Sequence, residues 1–398
     1  MIPEVNIGLV GHVDHGKTTL TQMLTGKWTD THSEEIKRGI TIRLGYADVL
    51  IYYCKKCGRY SNSPKCSSCF EDCEPRRMIS FIDAPGHETL MATVLSGASL
   101  MDGALLLIAA NEKCPQPQTA EHLKALDIVG IRKIIIVQNK IDLVSEERAM
   151  ESYNEIKEFV KGTVAENAPI IPISAIHQVN LDELLKAIEE VIVVPERDIQ
   201  ADPKFYIARS FDVNRPGTPI NELVGGVVGG SLVRGELKTG DEIEIRPGVQ
   251  AGDRWEPIKS SIVEIFQAGK QSRAQPGGLV ALQTMLDPSL TRGDGLAGNV
   301  LGLAGKLPPT IDRVKMKTEL FDYVIGIGGS IKVDKIKTGD VLLITAAIAK
   351  SVGAVTSSHG NICEMKLKLP ICADKNDRIA ISRQVDGRWH LIGSGVLV

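Results

Sequence analysis

Short runs of aliphatic residues alternate with helical stretches along the first half of the chain. The runs read VNIGLV, MISFID, GALLLIA, KIIIVQNK and IIPIS, and each ends in a glycine or polar turn. Apolar residues recur at helical spacing between and after them, as in LDELLKAIEEVI at Leu181 to Ile192. This alternation predicts an α/β domain over residues 1–196, with a mostly parallel sheet covered by helices on both faces. Such sheets bind ligands at the carboxyl ends of their strands.

The pattern changes at VPERDIQADPKF (Val194 to Phe205), whose prolines and charges we interpret as a linker. Beyond it the apolar runs have strand length, as in GGVVGG, DEIEIRPG, DVLLITAA and DRIAISRQ, and Gly, Pro, Asp and Asn separate them. They predict two antiparallel β-barrels, over residues 204–311 and 312–398. The tetrapeptide KTGD starts a strand in each, at Lys238 and at Lys337. Duplication and shared turn chemistry explain this repeat about equally well.

Composition narrows the class of protein. The 398 residues are 43% hydrophobic and 24% charged, which is typical of globular proteins. The apolar runs fall short of the roughly 20 residues of a membrane span, and no export signal opens the chain, so we expect a cytoplasmic protein with no membrane partner. The net charge of −3 gives no overall basic footprint. From Arg313 onward basic residues outnumber acidic ones, which fits either a phosphate-facing surface or a solvated face.

The octapeptide GHVDHGKT, Gly11 to Thr18, matches the phosphate-loop pattern GxxxxGK[ST]. A predicted strand precedes it and a predicted helix follows it, so backbone N–H groups converge where phosphate oxygens bind. An ordinary glycine turn with a surface lysine is the alternative. We expect Lys17 to reach the β- and γ-phosphates and Thr18 to hold Mg²⁺. The predicted phosphate-binding residues are Asp14, His15, Gly16, Lys17, Thr18 and Thr19.

Two further segments have the residues expected of switch segments, which contact the γ-phosphate and Mg²⁺ of a bound nucleotide. In IDAPGHE, Asp83 ends a strand where it binds Mg²⁺ through water, and Gly86 offers its N–H to a γ-phosphate. His87 is the candidate catalytic residue that orients the attacking water, although such a histidine can also merely cap the next helix. In RGITI, Thr41 supplies a second hydroxyl to Mg²⁺, unless this segment is simply the start of a strand.

The segment VQNKID identifies the base. A carboxylate at Asp142 accepts from both N1–H and the exocyclic amine of guanine, a pair of donors that adenine lacks. We expect Asn139 to brace the loop and Lys140 to lie along the base. The tripeptide ISA, which contains Ser174 and Ala175, is informative only because it follows NKID in the sequence. In that order, we expect the Ala175 N–H to lie near guanine O6.

Four cysteines form two Cys-x-x-Cys pairs eight residues apart, in a stretch spanning residues 54–69. In a reducing compartment four thiolates at this spacing favour a tetrahedral Zn²⁺ over disulfides. Empty, reduced cysteines are the alternative, and Cys73 is a spare that could replace a ligand. The predicted zinc ligands are Cys54, Cys57, Cys66 and Cys69.

The ordered set GHVDHGKT, RGITI, DAPGHE, NKID and ISA resembles the translational GTPases of the elongation factor Tu group. The cysteine cluster and the stretches WTDTHSEEIKRGITIRLGYAD, RSFDVNRPGT and KLPICADKNDRIAISRQ are similar to one branch of that group. This branch is the family of gamma subunits of archaeal and eukaryotic translation initiation factor 2, here in its archaeal form. The resemblance implies a P-loop GTPase domain followed by two barrels. Because no arginine or glutamine that could assist hydrolysis is evident in the sequence, we expect slow hydrolysis by the protein alone, with help from the ribosome or a partner.

The resemblance also implies ligands and partners. Asp14 and Gly39 match positions that help to bind a second Mg²⁺. The expected partners are alpha and beta subunits in a heterotrimer, methionylated initiator tRNA and the small ribosomal subunit, with the tRNA pocket between the GTPase domain and the first barrel. Three alternatives stay open: an elongation-type tRNA carrier, a regulatory GTPase subunit of a sulfate-activating enzyme, and a scaffold that never hydrolyses GTP.

Overall fold

The structure is a computed structural model of the whole chain and describes residues 1–29, 35, 41–325 and 331–398. A seven-stranded sheet occupies the first half of the molecule. Its order is β3-β2-β4-β1-β5-β6-β7; β4, β1, β5, β6 and β7 run parallel, and β2 pairs antiparallel with both of its neighbours, β4 and β3. The strands are β1 Pro3–Gly11, β2 Gly45–Cys54, β3 Arg59–Ser61, β4 Glu74–Asp83, β5 Gly103–Ala109, β6 Ile134–Asn139 and β7 Ile170–Pro172.

Helices cover both faces of this sheet. One apolar core includes side chains of α1 and α5, and a second core, on the other face, includes side chains of α2, α3 and α4. All residues of β5 are buried, as expected for a parallel strand covered on both sides. The helices are α1 Lys17–Thr25, α2 Met91–Ala98, α3 Pro117–Val129, α4 Glu146–Val160 and α5 Leu181–Val191.

The second half forms two closed antiparallel barrels of six strands each. The first has the order β11-β16-β8-β9-β15-β12 and closes by the pairing of β11 with β12. Its strands are β8 Lys204–Phe211, β9 Val227–Arg234, β11 Glu242–Ala251, β12 Arg254–Phe266, β15 Val280–Thr284 and β16 Val300–Leu303; short strands β10 Leu237–Lys238, β13 Lys270–Gln271 and β14 Arg273–Ala274 and helix α6 Pro288–Thr291 accompany them.

The second barrel has the order β17-β20-β19-β18-β21-β22. Its strands are β17 Thr310–Leu320, β18 Val341–Ala346, β19 Ala349–His359, β20 Ile362–Cys372, β21 Arg378–Val385 and β22 Arg388–Leu397. The predicted fold class, an α/β unit followed by two barrels, is confirmed. Within the described residues, no helix combines the length and the apolarity needed to span a bilayer.

The two KTGD segments form the same turn. Gly240 and Gly339 have φ values of 92° and 93°, the left-handed region that glycine enters without steric cost. In each turn the aspartate side chain accepts a hydrogen bond from the backbone N–H of the lysine, at 2.7 Å for Asp241 and 2.9 Å for Asp340. The repeat is therefore a repeat of turn chemistry, whatever its origin.

The barrels pack against the sheet through apolar and polar contacts. The core cluster that contains α2, α3 and α4 continues into Tyr206 of the first barrel and Leu391 of the second. Arg378 of β21 donates from Nη1 to the carbonyl oxygen of Ile128 (3.2 Å), near the carboxyl end of α3. A cation at this end of a helix also interacts favourably with the helix dipole. The second barrel is thus tied to the helix that lies behind the phosphate loop.

Candidate nucleotide and zinc sites

The phosphate loop joins β1 to α1, as its flanking pattern predicts. Asp14 and Gly16 have φ values of 60° and 91°, and Gly16 stands immediately before the first helical residue. Consecutive left-handed and helical residues turn backbone N–H groups toward one point, which makes an anion-binding concavity. The Lys17 ammonium donates to the carbonyl oxygens of Gly11 (2.9 Å) and His12 (2.6 Å) and lies across the mouth of this loop.

Two buried histidines support the loop from behind. His122 of α3 accepts a hydrogen bond at Nδ1 from the backbone N–H of Gly11 (2.8 Å), and burial lowers the pKa of His122 to about 3. The His15 ring is fully buried and its Nδ1 donates to the carbonyl oxygen of Leu107 (2.9 Å). Burial lowers the pKa of His15 to about 4, so both rings are neutral at physiological pH. The structure thus places the side chain of His15 beneath the loop, away from the phosphate cleft.

The predicted magnesium ligands lie together. The Thr18 hydroxyl donates to Asp83 Oδ2 (2.7 Å) and lies 3.2 Å from the Thr41 hydroxyl oxygen. Thr29, which the sequence did not single out, donates to the same carboxylate oxygen (2.7 Å). Hydroxyl and carboxylate oxygens are the ligands Mg²⁺ prefers, so this donor set fits that ion. Gly39, the other predicted ligand of a second Mg²⁺ with Asp14, lies outside the described residues.

Gly86 and His87 follow β4 at the same edge of the sheet. A β-carbon on Gly86 would lie 2.5 Å from Lys17 Nζ and 3.0 Å from the backbone nitrogen of Val13, so a side chain there would collide with the phosphate loop. His87 Nδ1 accepts from the backbone N–H of Thr89 (3.4 Å) and lies 3.0 Å from its hydroxyl. His87 therefore caps the short 3₁₀ turn of Glu88–Leu90, which is the alternative role considered for it.

Asn139 joins the phosphate loop to the loop after β7. Its Nδ2 donates to the carbonyl oxygen of His15 (2.9 Å), and its Oδ1 accepts from the backbone N–H of Ala175 (3.1 Å). The side chain is 3% exposed, and a β-carbon on Gly16 would lie 2.4 Å from Asn139 Nδ2. Asn139 thus has the bracing geometry expected of it. The Ala175 N–H, expected near guanine O6, is engaged by this bond.

The remaining base-site residues lie around this brace. Lys140 has a φ of 63° and lines the phosphate cleft. The Asp142 carboxylate follows in a 3₁₀ turn and lies 3.7 Å from His177 Nε2. The Ser174 hydroxyl accepts from the backbone N–H of His177 (3.3 Å). Asp142 and Ser174 therefore both contact His177. Lys140 lines the cleft, whereas Asp142 and Ser174 lie outside its lining.

A cleft of about 540 Å³ runs over the phosphate loop and contains most of the predicted nucleotide site. Sequence reasoning missed three of its residues, Val13, Trp28 and Ile176. Trp28 and Ile176 are 48% and 66% exposed, and only their position in the fold, beside the phosphate loop, reveals that they line the cleft. The predicted residues in the lining are Asp14, Gly16, Lys17, Thr18, Thr19, Thr41, Gly86, His87 and Lys140.

The four predicted zinc ligands converge at the end of the β2–β3 hairpin. All four Sγ atoms lie within 4.8 Å of one another, and Cys54 Sγ lies 3.5 Å from Cys69 Sγ. A tetrahedral zinc ion with Zn–S bonds of about 2.3 Å holds its sulfurs about 3.8 Å apart, so the arrangement fits that ion. Backbone N–H groups of Cys69 and Ser68 lower the pKa of Cys66 to about 6, which favours a thiolate.

The two cysteine pairs form equivalent turns. The N–H of Gly58 donates to the Cys54 carbonyl oxygen (2.8 Å), and the N–H of Phe70 donates to the Cys66 carbonyl oxygen (3.0 Å). Gly58 and Phe70 have φ values of 68° and 59°. Cys73 is buried beside the cluster but lies outside the set of four, and burial raises the pKa of its thiol to about 11. The structure therefore favours Cys69 over Cys73 as the fourth ligand.

Two families match the chain. Residues 3–193 match the family described as the elongation factor Tu GTP binding domain, and residues 312–397 match the family described as initiation factor eIF2 gamma, C terminal.

Full-length relatives extend these matches. The chain is 57% identical to translation initiation factor 2 subunit gamma of Methanocaldococcus jannaschii, over 99% of this chain and 97% of the relative. It is 58% identical to the protein of that name from Pyrococcus horikoshii, with coverage of 99% and 97%. The protein of the same name from Methanococcus maripaludis is 56% identical, with coverage of 99% and 98%.

Solved structures share the fold at lower identity. The bacterial selenocysteine-specific elongation factor EF-Sec superposes with a TM-score of 0.75 at 24% identity, over 100% of this chain and 58% of that one. Elongation factor SelB from Methanococcus maripaludis, solved in complex with the GTP analogue GPPNHP, superposes with a TM-score of 0.72 at 22% identity, over 100% and 79% of the two chains. These likenesses show the common architecture of a sheet and two barrels.

The phosphate-loop fold and the match over residues 3–193 define a translational GTPase, an enzyme that binds and hydrolyses GTP. Identity over the whole length narrows the class: the chain belongs to the family of translation initiation factor 2 gamma subunits. The predicted resemblance is thereby confirmed, and so is a role in translation initiation.

Proposed function

We propose that this GTPase carries methionylated initiator tRNA to the small ribosomal subunit and releases it after GTP hydrolysis. The single observation that supports this most strongly is the cluster of Thr18, Thr41 and Asp83 oxygens beside Lys17. These groups come from three separate segments of the chain, and a γ-phosphate bound against Lys17 would be within reach of all of them. Loss of that phosphate would remove a common partner and weaken the link between the segments.

The site residues take the following roles in this proposal. Backbone N–H groups of residues 14–19 and the Lys17 ammonium bind the phosphates, and the Gly86 N–H meets the terminal one. The Asp142 carboxylate selects guanine, and Asn139 keeps the base and phosphate loops together. Ser174 and Ala175 shape the base end of the cleft.

Magnesium would be held by Thr18 and Thr41 and, through water, by Asp83, with a second ion at Asp14 and Gly39; it would neutralise phosphate charge. For hydrolysis, His87 must turn from its present hydrogen bond with Thr89 toward the water that attacks the γ-phosphate. Because His87 is held in a capping role, the enzyme alone should be slow, and a contact on the ribosome or a partner should release the ring.

We further propose that Cys54, Cys57, Cys66 and Cys69 hold a structural Zn²⁺ that stiffens the excursion over residues 54–69. We also propose the division of the chain into a GTPase domain (1–196) and two barrel domains (204–311 and 312–398), although β17 of the second barrel starts at Thr310, two residues before the last boundary. The working assembly is a cytoplasmic heterotrimer with alpha and beta subunits.

The tRNA pocket is proposed between the sheet and the first barrel. A cleft of about 360 Å³ lies there, lined by Arg43 and Leu44 next to the sheet and by Arg209, Trp255 and Asp294 of the first barrel; residues of the second barrel, among them Lys350, complete its lining. Cationic and aromatic side chains of this kind suit a nucleic acid end, because they pair with phosphates and stack on bases.

The proposal is tested by measuring the retention of methionylated initiator and elongator tRNAs with GTP and with GDP, with alpha and beta subunits added or withheld. We expect initiator tRNA to be retained best with GTP. Equal retention in both nucleotides would remove the carrier mechanism. Preference for elongator tRNA would favour the elongation-type alternative, and no retention of any tRNA would favour a regulatory GTPase.

A further inference from the structure

An ion-pair triplet connects the Thr41 segment to the first barrel. Arg43 Nη1 lies 3.0 Å from Asp294 Oδ2, and Arg209 Nε donates to the other oxygen, Oδ1, at 3.0 Å. Arg43 stands between Thr41 and β2, whereas Asp294 and Arg209 both belong to the barrel. The Asp294 carboxylate thus binds Arg209 of its own barrel through Oδ1 and Arg43 of the Thr41 segment through Oδ2.

The Asp294 carboxylate is held in place from several directions. Its Oδ1 also accepts from the backbone N–H of Ser210 (3.0 Å), and the Ser210 hydroxyl accepts from the N–H of Leu296 (3.0 Å). Gly293 and Asp294 both have a φ of 63°. A non-glycine residue in this region costs free energy and persists only where the surroundings impose it. The barrel therefore presents Asp294 as a fixed anchor.

The other end of the contact lies close to the nucleotide cleft. Arg43 is two residues from Thr41, whose hydroxyl oxygen is 3.2 Å from that of Thr18. The Glu35 carboxylate accepts from the backbone N–H groups of both Ile42 (3.1 Å) and Arg43 (2.9 Å). Two residues span at most about 7 Å, so Thr41 and Arg43 cannot move independently over larger distances.

We propose that Arg43 and Asp294 are a positioning pair that couples the nucleotide state to tRNA binding in the cleft between the sheet and the first barrel. This inference rests on the proposed function. With GTP, Thr41 is held at the phosphate site and Arg43 is aligned with Asp294, which fixes the shape of the cleft. With GDP, Thr41 loses its partner, Arg43 leaves Asp294, and the two walls of the cleft are no longer tied together.

The test compares tRNA affinity with GTP and with GDP in the complete heterotrimer. Arg43→Met keeps the apolar stem and removes the charge, and leaves every contact of Asp294 within the barrel intact. Asp294→Asn removes the carboxylate at the other end. We expect each variant to lower the ratio of the GDP-state to the GTP-state dissociation constant about tenfold, the effect of losing one partly exposed charged hydrogen bond. Because both residues line the cleft, the loss of any direct contact that they make with tRNA lowers the affinity in both nucleotide states and cancels in this ratio.

Two further readouts separate coupling from mere structure. Because linkage is reciprocal, the factor by which tRNA raises the preference of the protein for GTP over GDP must fall by the same amount as the ratio. The double variant should behave like Arg43→Met alone, since the two residues act as one contact. Glu264→Gln is the matched control: it removes the 2.5 Å ion pair with Lys270 on the same barrel, and Glu264 does not line the cleft.

The outcomes distinguish the inference from the proposed function. A wild-type protein that binds tRNA equally with GTP and GDP defeats the proposed function itself. A wild-type protein that discriminates, with an undiminished ratio in Arg43→Met, overturns the coupling role while leaving the function in place. An equal loss of affinity in both nucleotide states would make the pair merely structural and would also overturn the inference.

Discussion

Removing the Asn139 side chain tests whether the base loop and the phosphate loop act as one unit. In Asn139→Ala the carbonyl oxygen of His15 and the N–H of Ala175 both lose their hydrogen bonds, which are 2.9 Å and 3.1 Å long. Both groups are buried, and a methyl group offers neither of them a replacement. The phosphate loop would then be free to move away from the Ala175 loop.

The size of the effect follows from these two bonds. A buried polar group without a partner costs about 1–3 kcal/mol, so two of them cost about 2–4 kcal/mol once the loops relax. Part of this cost disappears in the free protein, where the loops can separate and bind water. Bound nucleotide forces them back together, so we expect GDP affinity to fall about 10- to 100-fold, at about 1.4 kcal/mol per factor of ten.

The assay is GDP affinity by calorimetry, together with the free energy of unfolding in denaturant. Asn299→Ala is the matched control, because Asn299 is also buried and makes the same two kinds of bond, to the N–H of Gly248 (3.0 Å) and the carbonyl oxygen of Leu296 (3.1 Å). Its stability should fall by a similar amount while GDP affinity stays the same. If both variants lose stability and neither loses GDP affinity, Asn139 is an ordinary core residue and the reasoning is wrong.

Three further predictions follow from other parts of the structure. His87→Ala should slow GTP hydrolysis about 100-fold in single-turnover assays with the ribosome and partner subunits present, and leave GDP affinity unchanged; an unchanged rate would confine His87 to capping the Glu88–Leu90 turn. Cys69→Ser should abolish bound zinc in metal analysis, whereas Cys73→Ser should keep about one ion per chain; the reverse result would make Cys73 the fourth ligand in place of Cys69. Burial raises the pKa of Glu121 to about 8, above its unfolded value, so its contribution to stability is complete below about pH 4.5 and is lost as pH rises through about 8. Glu121→Gln should therefore stabilise the protein more at about pH 9 than at about pH 5 in denaturant titrations; a pH-independent difference would contradict this.

Local patterns were sufficient to predict much of the fold. The run GALLLIA is buried throughout as β5, and the helix predicted from Leu181 is α5 Leu181–Val191. The KTGD turns formed because glycine alone enters their left-handed position freely. The strand β2 Gly45–Cys54 was missed, because leucine and tyrosines occupy its half-buried positions and hide the alternation of buried residues in GYADVLIYYC.

The site was predictable only where one segment carries its own chemistry. The phosphate loop and the cysteine pairs could be read from spacing, since their geometry is local. Contacts between distant segments could not: Thr29 meets Asp83, and His122 meets Gly11, across 54 and 111 residues of sequence. The sequence around either residue of such a pair does not indicate which distant residue it contacts, because the contact forms only in the folded chain.

The central claim is that the terminal phosphate of GTP holds the segments of Thr41 and Gly86 in one arrangement. Hydrogen exchange of the peptides covering residues 41–44 and 84–87 tests this most directly, with a nonhydrolysable GTP analogue and Mg²⁺ compared with GDP and Mg²⁺. The account predicts slower exchange in both peptides with the analogue. Identical exchange in the two nucleotide states would contradict it.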